Sequence, residues 1–316
     1  MRDGCAACGG TSVTAAYPVR EMMFGLRDEF TYLECGECGS LRIDQAPEDL
    51  ARYYPAGYHS LKEEPGLRDA PLIAWLKRAR ACHLLHGFNP VGALVARFFG
   101  VPEYYRWLRG TQTRLDAVIL DVGAGTGRLL HALRREGFEA LIGVEPHIPG
   151  DLEFSNGVIV VKRPLSDLVE PVDLVVFHHS LEHMPDPLDA LKQAHRLLKQ
   201  NRYAFVRIPI AGTFSWRTYG RNWINLDPPR HLWLPTVRGM RRLANEAGFA
   251  VSGVEFDSNE FQFWASELYA RELPMSEFVK HVPPRAELDA LKRRAAELNE
   301  QQDGDQACFY LQKSGP

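Results

Sequence analysis

Hydrophobic and polar positions divide the chain into three regions of different character. Residues 1–60 contain two cysteine pairs separated by a stretch that predicts a short β-hairpin. Residues 61–114 contain amphipathic patches, including 73–85 and 91–99. These patches predict helices that connect the first region to the third or cover the third. From residue 115 to 316, short apolar runs alternate with helical patterns, which is typical of an α/β domain with a largely parallel sheet.

The apolar runs of the third region predict seven strands. Helical patterns at 128–136 and 236–248 connect some of them, and a helical insertion at about 260–302 precedes the last strand. The predicted strands cover residues 117–122, 140–144, 157–161, 172–177, 203–208, 251–256 and 308–311. Because strands and helices alternate, we expect one crevice at the carboxyl ends of the strands.

Composition and charge narrow the class of protein. The 316 residues are 45% hydrophobic and 24% charged, which suits a soluble enzyme with a packed core. The formal charge of −3 provides no general attraction for nucleic acid or anionic lipid. The N-terminus lacks a signal peptide, and no run of about 20 apolar residues occurs, so we expect a cytoplasmic protein without a membrane span.

Four of the six cysteines form two CxxCG pairs, Cys5 with Cys8 and Cys35 with Cys38. Two such turns supply the four thiolates of a tetrahedral zinc site, and the pattern resembles a zinc ribbon. Four protein ligands leave no open position, so this metal is predicted to be structural. The alternative is four unrelated reduced cysteines. Region 1–60 carries five basic and nine acidic residues, which disfavours RNA binding.

A glycine-rich turn follows the first predicted strand of the α/β region. Asp121 ends the strand, and Gly123, Ala124, Gly125 and Gly127 follow within six residues. Glycines there permit a sharp turn and let a ligand lie against the main chain. The spacing differs from the dinucleotide pattern GxGxxG, and a carboxylate before the turn can orient it or accept a hydrogen bond from an ammonium group.

Polar side chains also follow the next strands. Glu145 can accept two hydrogen bonds from a ribose diol, and Ser166 or Asp167 can accept one from an exocyclic adenine amine. The fourth strand is followed by His178 and His179. In an open parallel sheet these groups converge on a single crevice.

The segments DVGAGTGRLL, VEP, SDL and VDLVVFHHSLEHMPDP resemble, in this order, motifs of the Rossmann-like methyltransferase superfamily over residues 115–255. The resemblance implies a seven-stranded α/β sheet and S-adenosylmethionine as cofactor. It also implies that the turn lines the methionine and ribose, Glu145 holds the ribose hydroxyls, Ser166 or Asp167 meets adenine, and His178 or His179 lies beside the cofactor. Asn201 and Arg202 stand where relatives often have two glycines, which affects a turn only.

Two histidines are candidate general bases. His183 follows the fourth strand and His231 lies in the string DPPRHL after the fifth, so both are expected to point toward the methyl donor. Each has a structural alternative, as a residue that fixes its loop. His179, Glu182 and His183 also resemble the metal ligands of ubiquinone-type O-methyltransferases, but His179 replaces the first carboxylate, which argues against a catalytic metal.

Arginines at 207, 217, 221 and 230 suggest a diphosphate on the acceptor side, and the alternative is that they are solvated surface residues. The predicted function is therefore S-adenosylmethionine-dependent methylation of a small molecule, such as a nucleotide-linked sugar, a glycan or a secondary metabolite, at oxygen or carbon. Some deoxysugar C-methyltransferases resemble this layout, with an N-terminal zinc module. The alternatives are a ribosomal RNA methyltransferase with a zinc module and a non-catalytic scaffold that binds the cofactor.

Overall fold

A computed structural model describes residues 4–55 and 69–314. The expected boundary between residues 60 and 61 lies outside these ranges. The strands are β1 Val13–Arg20, β2 Glu29–Cys35, β3 Leu41–Ile43, β4 Ile119–Val122, β5 Leu141–Val144, β6 Leu152–Glu153, β7 Ile159–Val161, β8 Val172–His178, β9 Leu198–Pro209, β10 Trp233–Leu234, β11 Phe249–Phe256 and β12 Gln306–Lys313. The helices are α1 Pro71–His86, α2 Pro90–Phe99, α3 Tyr104–Gly110, α4 Arg128–Arg135, α5 Pro187–Leu197, α6 Phe214–Tyr219, α7 Val237–Glu246, α8 Phe261–Ala270 and α9 Arg285–Glu300.

The larger sheet has the strand order β11-β12-β9-β8-β4-β5-β7-β6. The strands from β9 to β7 are parallel to one another, and β12 runs antiparallel between β9 and β11. The expected seven-stranded Rossmann-like sheet is confirmed, with the two-residue β6 added at one edge. All four residues of β4 are buried, as expected for a strand covered by helices on both faces.

Strand β4 lies at the topological switch point, between β5 and β8. The chain leaves β4 toward β5 on one side and returns to β8 on the other, so the turns that follow these strands open a crevice at their carboxyl ends. The glycine-rich turn after β4 and Glu145 after β5 therefore lie on one side of this crevice, and the turn after β8 lies on the other. This arrangement follows directly from the strand order.

Helices α1, α2 and α3 lie in the region where a helical linker or cover is predicted. A buried ion pair between Arg80 and Glu136, with nitrogen and oxygen 2.6 Å apart, connects α1 to the end of α4. Trp107 of α3 stacks on Phe205 of β9 with ring centroids 4.6 Å apart. The predicted insertion contains α8 and α9, and none of the helices in the described ranges is long and apolar enough to cross a membrane.

The smaller sheet has the order β1-β2-β3-β10 and joins distant parts of the chain. Strand β10 pairs antiparallel with β3, with Trp233 opposite Arg42 and Leu234 opposite Leu41. Buried residues of this sheet and of the large sheet belong to one continuous hydrophobic cluster. The N-terminal strands are thus packed into the α/β core through a strand that follows β9.

Candidate functional site

The four N-terminal cysteines meet at the turns of the small sheet. Their sulfurs lie within 4.8 Å of one another, and the Cys5–Cys38 and Cys8–Cys35 Sγ atoms are 3.6 Å apart. Tetrahedral zinc with bonds of about 2.3 Å holds its sulfurs roughly 3.8 Å apart, so the donor set fits this metal. Gly9 and Gly39 follow the two pairs with φ of 73° and 75°, a conformation that favours glycine and closes each turn.

The glycine-rich turn adopts a left-handed backbone at Gly123, Gly125 and Gly127, with φ of 76°, 55° and 84°. A Cβ on Gly123 would lie 2.5 Å from the Cβ of Ser180, which follows β8. The Ser180 hydroxyl donates to the carbonyl of Val122, 2.6 Å away. Both the backbone conformation and this close approach therefore require glycine at position 123.

Asp121 and Glu145 lie on either side of this turn. The Glu145 carboxylate accepts hydrogen bonds from the amides of Gly125, at 3.2 Å, and His147, at 3.1 Å. Burial, reinforced by the negative charge of Glu145, raises the pKa of Asp121 to about 7. Two carboxylates in so little water favour a cationic ligand, since a positive charge there would relieve their repulsion.

Ser166 and Asp167 are exposed in a short 3-10 turn after β7. The Ser166 hydroxyl donates to the Asp167 carboxylate, 3.1 Å away, and the Arg196 guanidinium donates to the Ser166 carbonyl at 3.3 Å. Both residues stand at the carboxyl end of the strand next to β5, and their hydrogen bonds run to each other and to α5. They remain candidates for contact with a ligand above β5 and β7.

His178 and His179 end β8 beside Arg207 of β9. The Arg207 guanidinium donates to Nε2 of His179 at 2.8 Å and pairs with the Asp257 carboxylate at 2.6 Å. Since Nε2 of His179 accepts, its proton sits on Nδ1, which faces Oε1 of Glu182 at 3.5 Å. Burial, with the charges of His179 and Arg207, lowers the pKa of His178, so this ring is neutral near pH 7.

His183 and His231, the two candidate bases, come together with ring centroids 4.8 Å apart. Nδ1 of His183 donates to the carbonyl of Arg230 at 2.9 Å, and Nδ1 of His231 donates to that of Asn225 at 2.7 Å. Because a carbonyl only accepts, each neutral ring carries its proton on Nδ1 and a lone pair on Nε2. Burial, with the charge of His231, lowers the pKa of His183 to about 4.

Glu182 lies between these rings and has no solvent exposure. Its Oε1 is 3.9 Å from Nε2 of His231, and neither carboxylate oxygen has a hydrogen-bond partner among the described residues. Asp227 approaches the same Nε2 to 4.0 Å. The site thus combines an imidazole lone pair on His231 with two carboxylates, those of Glu182 and Asp227, within 3.9 Å and 4.0 Å of Nε2.

The loop that carries His231 is anchored by residues about 200 positions earlier. The Tyr32 hydroxyl of β2 donates to the carbonyl of His231. The guanidinium of Arg230, fully buried, pairs with Asp227 at 2.5 Å and with Glu21, also fully buried, at 3.0 Å. Position 231 is therefore set by the N-terminal sheet as much as by the α/β domain.

The arginines expected to hold a diphosphate are mostly committed elsewhere. Arg207 pairs with Asp257, Arg217 with Asp303 at 2.7 Å, and Arg230 with Asp227 and Glu21. These three arginines therefore have carboxylate partners in the structure, and a role for them at an acceptor diphosphate stays a prediction.

Sequence reasoning missed the partners that organise the histidines. The i, i+3 spacing of Asp227 and Arg230 was a local signal that could have identified their ion pair. The sequence HHSLEH places Glu182 next to His183. Its burial against His231 depends on the loop that brings His231 close to it, which no local pattern predicts. No local pattern links Glu21 or Tyr32 to that loop.

Comparison with known proteins identifies the family of the chain. A family model described as "Methyltransferase domain" matches residues 87–253. Among curated proteins, none matches the chain significantly.

Three solved structures are similar in fold at low identity. An S-adenosylmethionine-dependent methyltransferase from Mesorhizobium loti has 15% identity and a TM-score of 0.42, with 66% of this chain and 96% of that chain covered. One from Archaeoglobus fulgidus has 18% identity and a TM-score of 0.41, with 73% and 97% covered. The cyclopropane synthase MmaA2 from Mycobacterium tuberculosis has 16% identity and a TM-score of 0.39, with 63% and 78% covered.

The family match, which covers more than half of the chain, carries the assignment. It agrees with the strand order and with the glycine-rich turn at the switch point. The chain belongs to this methyltransferase family and is a Rossmann-like, S-adenosylmethionine-dependent methyltransferase.

Proposed function

We propose that the enzyme methylates a small-molecule acceptor at an oxygen or acidic carbon, with the acceptor bound between the glycine-rich turn and the His183–His231 pair. The observation that carries this proposal is the lone pair on Nε2 of His231, which lies close to the carboxylates of Glu182 and Asp227. A neutral imidazole with anionic neighbours is well suited to remove a proton near pH 7.

For the donor side, we propose that Asp121 and the turn Gly123, Ala124, Gly125 and Gly127 bind the methionine part and the ribose. Glu145 would hold the ribose hydroxyls, Ser166 or Asp167 the adenine, and His178 or His179 would line the site. The buried, mutually repelling carboxylates of Asp121 and Glu145 support a ligand that brings the positive sulfonium and ammonium groups of S-adenosylmethionine.

Methyl transfer from a sulfonium is an in-line displacement, so the principal task of the protein is to align donor and acceptor. S-adenosylmethionine, held by Asp121, the glycine-rich turn and Glu145, would supply an activated methyl group to the acceptor atom. When the acceptor is a hydroxyl or an acidic carbon, its proton passes to Nε2 of His231. The carboxylates of Glu182 and Asp227 lie 3.9 Å and 4.0 Å from this nitrogen. His183, held neutral by burial, packs against the His231 ring with ring centroids 4.8 Å apart.

For domain organisation, we propose a zinc module at residues 1–60, a helical linker or cover at 61–114 and the catalytic domain at 115–316. The four sulfurs support zinc in the first of these. Its fold depends on β10 from the third, so we propose that the module acts as a support for the acceptor loop and not as a separate binding domain.

The experiment uses S-adenosylmethionine with an isotopically labelled methyl group and cell extract divided by size. We expect label to enter low-molecular-mass compounds and to disappear with His231→Gln, by roughly 10²-fold or more. His281→Gln, a change at an exposed histidine, is the matched control and should retain activity. Label that enters only RNA or protein, or an unaffected His231→Gln enzyme, would refute the acceptor class or the base respectively.

A further inference from the structure

The cluster of Glu182, His183 and His231 has a composition that a proton-transfer site does not require. One ligand atom from each of the three residues lies within 4.8 Å of the other two. They come from two segments, the turn after β8 and the loop before β10. Two imidazoles and one carboxylate form a donor set typical of divalent transition metals such as Mn²⁺, Fe²⁺, Co²⁺ and Zn²⁺.

Glu182 supplies the first argument for a cation. Its side chain has no exposure, and neither of its oxygens has a hydrogen-bond partner among the described residues. Removing a carboxylate from water without compensation costs several kcal/mol at least, as an order of magnitude. A positive charge within the cluster would provide that compensation.

The distance between Glu182 and His231 supplies the second argument. Their Oε1 and Nε2 atoms, 3.9 Å apart, are too far apart for a hydrogen bond, which spans about 2.7–3.2 Å. Two ligands on one cation, each bonded at about 2.0–2.2 Å, lie roughly 3–4 Å apart. The separation therefore fits two atoms that share a metal better than two atoms that share a proton.

The orientation of both rings supplies the third argument. Each imidazole donates its Nδ1 proton to a backbone carbonyl, His183 to Arg230 and His231 to Asn225. Metal-binding histidines are typically held in this way, because the second nitrogen fixes the tautomer and the ring direction. His179, whose Nε2 already accepts from Arg207, turns a proton toward Glu182 and is not a third imidazole ligand.

We propose that Glu182, His183 and His231 form a binding site for a divalent transition-metal ion, separate from the four-cysteine site. The inference rests on the proposed function in one respect, the acceptor hydroxyl: the cation would bind its oxygen and make it more acidic. In the metal-bound protein Nε2 of His231 is a ligand, so it does not take the hydroxyl proton itself. The sequence resemblance pointed to Glu182 and His183 with His179 as the third residue; in the structure His231, which joins them only in the fold, takes the third position.

The test measures metal binding without donor or acceptor, so it is independent of methyl transfer. Protein loaded with a single equivalent of Zn²⁺, so that only the four-cysteine site is filled, is titrated with Co²⁺ and with Mn²⁺. We expect one additional equivalent of Co²⁺ to give d–d absorption without a sulfur-to-cobalt charge-transfer band, and one equivalent of Mn²⁺ to lose its free electron paramagnetic resonance signal.

Glu182→Gln and His183→Gln should each weaken this binding by about 10-fold or more. Glu170→Gln, at an exposed glutamate, should leave it unchanged. Retained S-adenosylmethionine affinity will show that the variants are folded. If zinc-loaded protein binds no further cation, or if Glu182→Gln and His183→Gln bind it as the unaltered protein does, the proposal is overturned, whether or not the enzyme methylates small molecules.

Discussion

The two sides of the candidate site are built from different distances along the chain. On the donor side, Asp121, the glycine-rich turn and Glu145 lie within 25 residues of one another, on two neighbouring parallel strands. On the acceptor side, His231 depends on Glu182, about 50 residues away, and on Tyr32 and Glu21, about 200 residues away. One side is a local motif and the other is a product of tertiary packing.

This difference explains what could be predicted from the sequence. The strand positions, the turn and the cysteine cluster follow from short patterns, because continuous apolar runs, glycines and CxxC pairs act locally. The acceptor loop has a recognisable string, but its partners are fixed by strand β10 pairing with β3, a long-range contact without local signature. The arginines show the same limit, since their carboxylate partners were not apparent from their positions.

If zinc supports the acceptor side, removing it should have the largest effect. We expect Cys38→Ser to lose a metal term of up to about 10 kcal/mol and to reduce methyl transfer by roughly 100-fold, while donor affinity changes little. Metal content, turnover and donor calorimetry measure the three quantities. Cys82→Ser, outside the cluster, is the control. An equal loss of donor affinity would mean that the two sides are not separate.

The buried arginine is the next test. Arg230→Met leaves Asp227 and Glu21 without their shared cation, and we expect a loss of about 3–5 kcal/mol in the free energy of unfolding, measured in urea. Arg221→Met, at an exposed arginine, should change it by less than about 0.5 kcal/mol. A similarly small effect at Arg230 would mean that its ion pairs with Glu21 and Asp227 do not stabilise the acceptor side.

On the donor side, Asp121 should make stability depend on pH. Its folded pKa of about 7 lies above the ordinary 3.8, so the folded protein keeps a proton that the unfolded chain releases. The unbound protein should therefore lose stability as pH rises from about 4 to 7, by about 4 kcal/mol at most. Asp121→Asn should abolish this component and weaken donor binding. Parallel pH profiles of the two proteins' urea unfolding would contradict the assignment.

The smallest expected effect on stability is at the turn itself. Gly123→Ala places a methyl group 2.5 Å from Ser180 and a side chain on a left-handed backbone, for a loss of about 2–3 kcal/mol. Donor affinity should fall. The structure of the acceptor side, which the fluorescence of Trp233 can report, should change little. Gly150→Ala, where a Cβ meets open space, is the matched control. If donor affinity survives Gly123→Ala, the turn is not the donor site.

The pairing of β10 with β3 also has a consequence for synthesis on the ribosome. Leu41 emerges early, but its partner Leu234 is made 193 residues later, so the first sheet remains one strand short until most of the protein exists. Closing so long a loop is slow relative to local hairpin formation. The strands β1, β2 and β3 therefore lack their fourth strand through much of translation. Zinc binding by the cysteines at that stage would stabilise them until β10 is made.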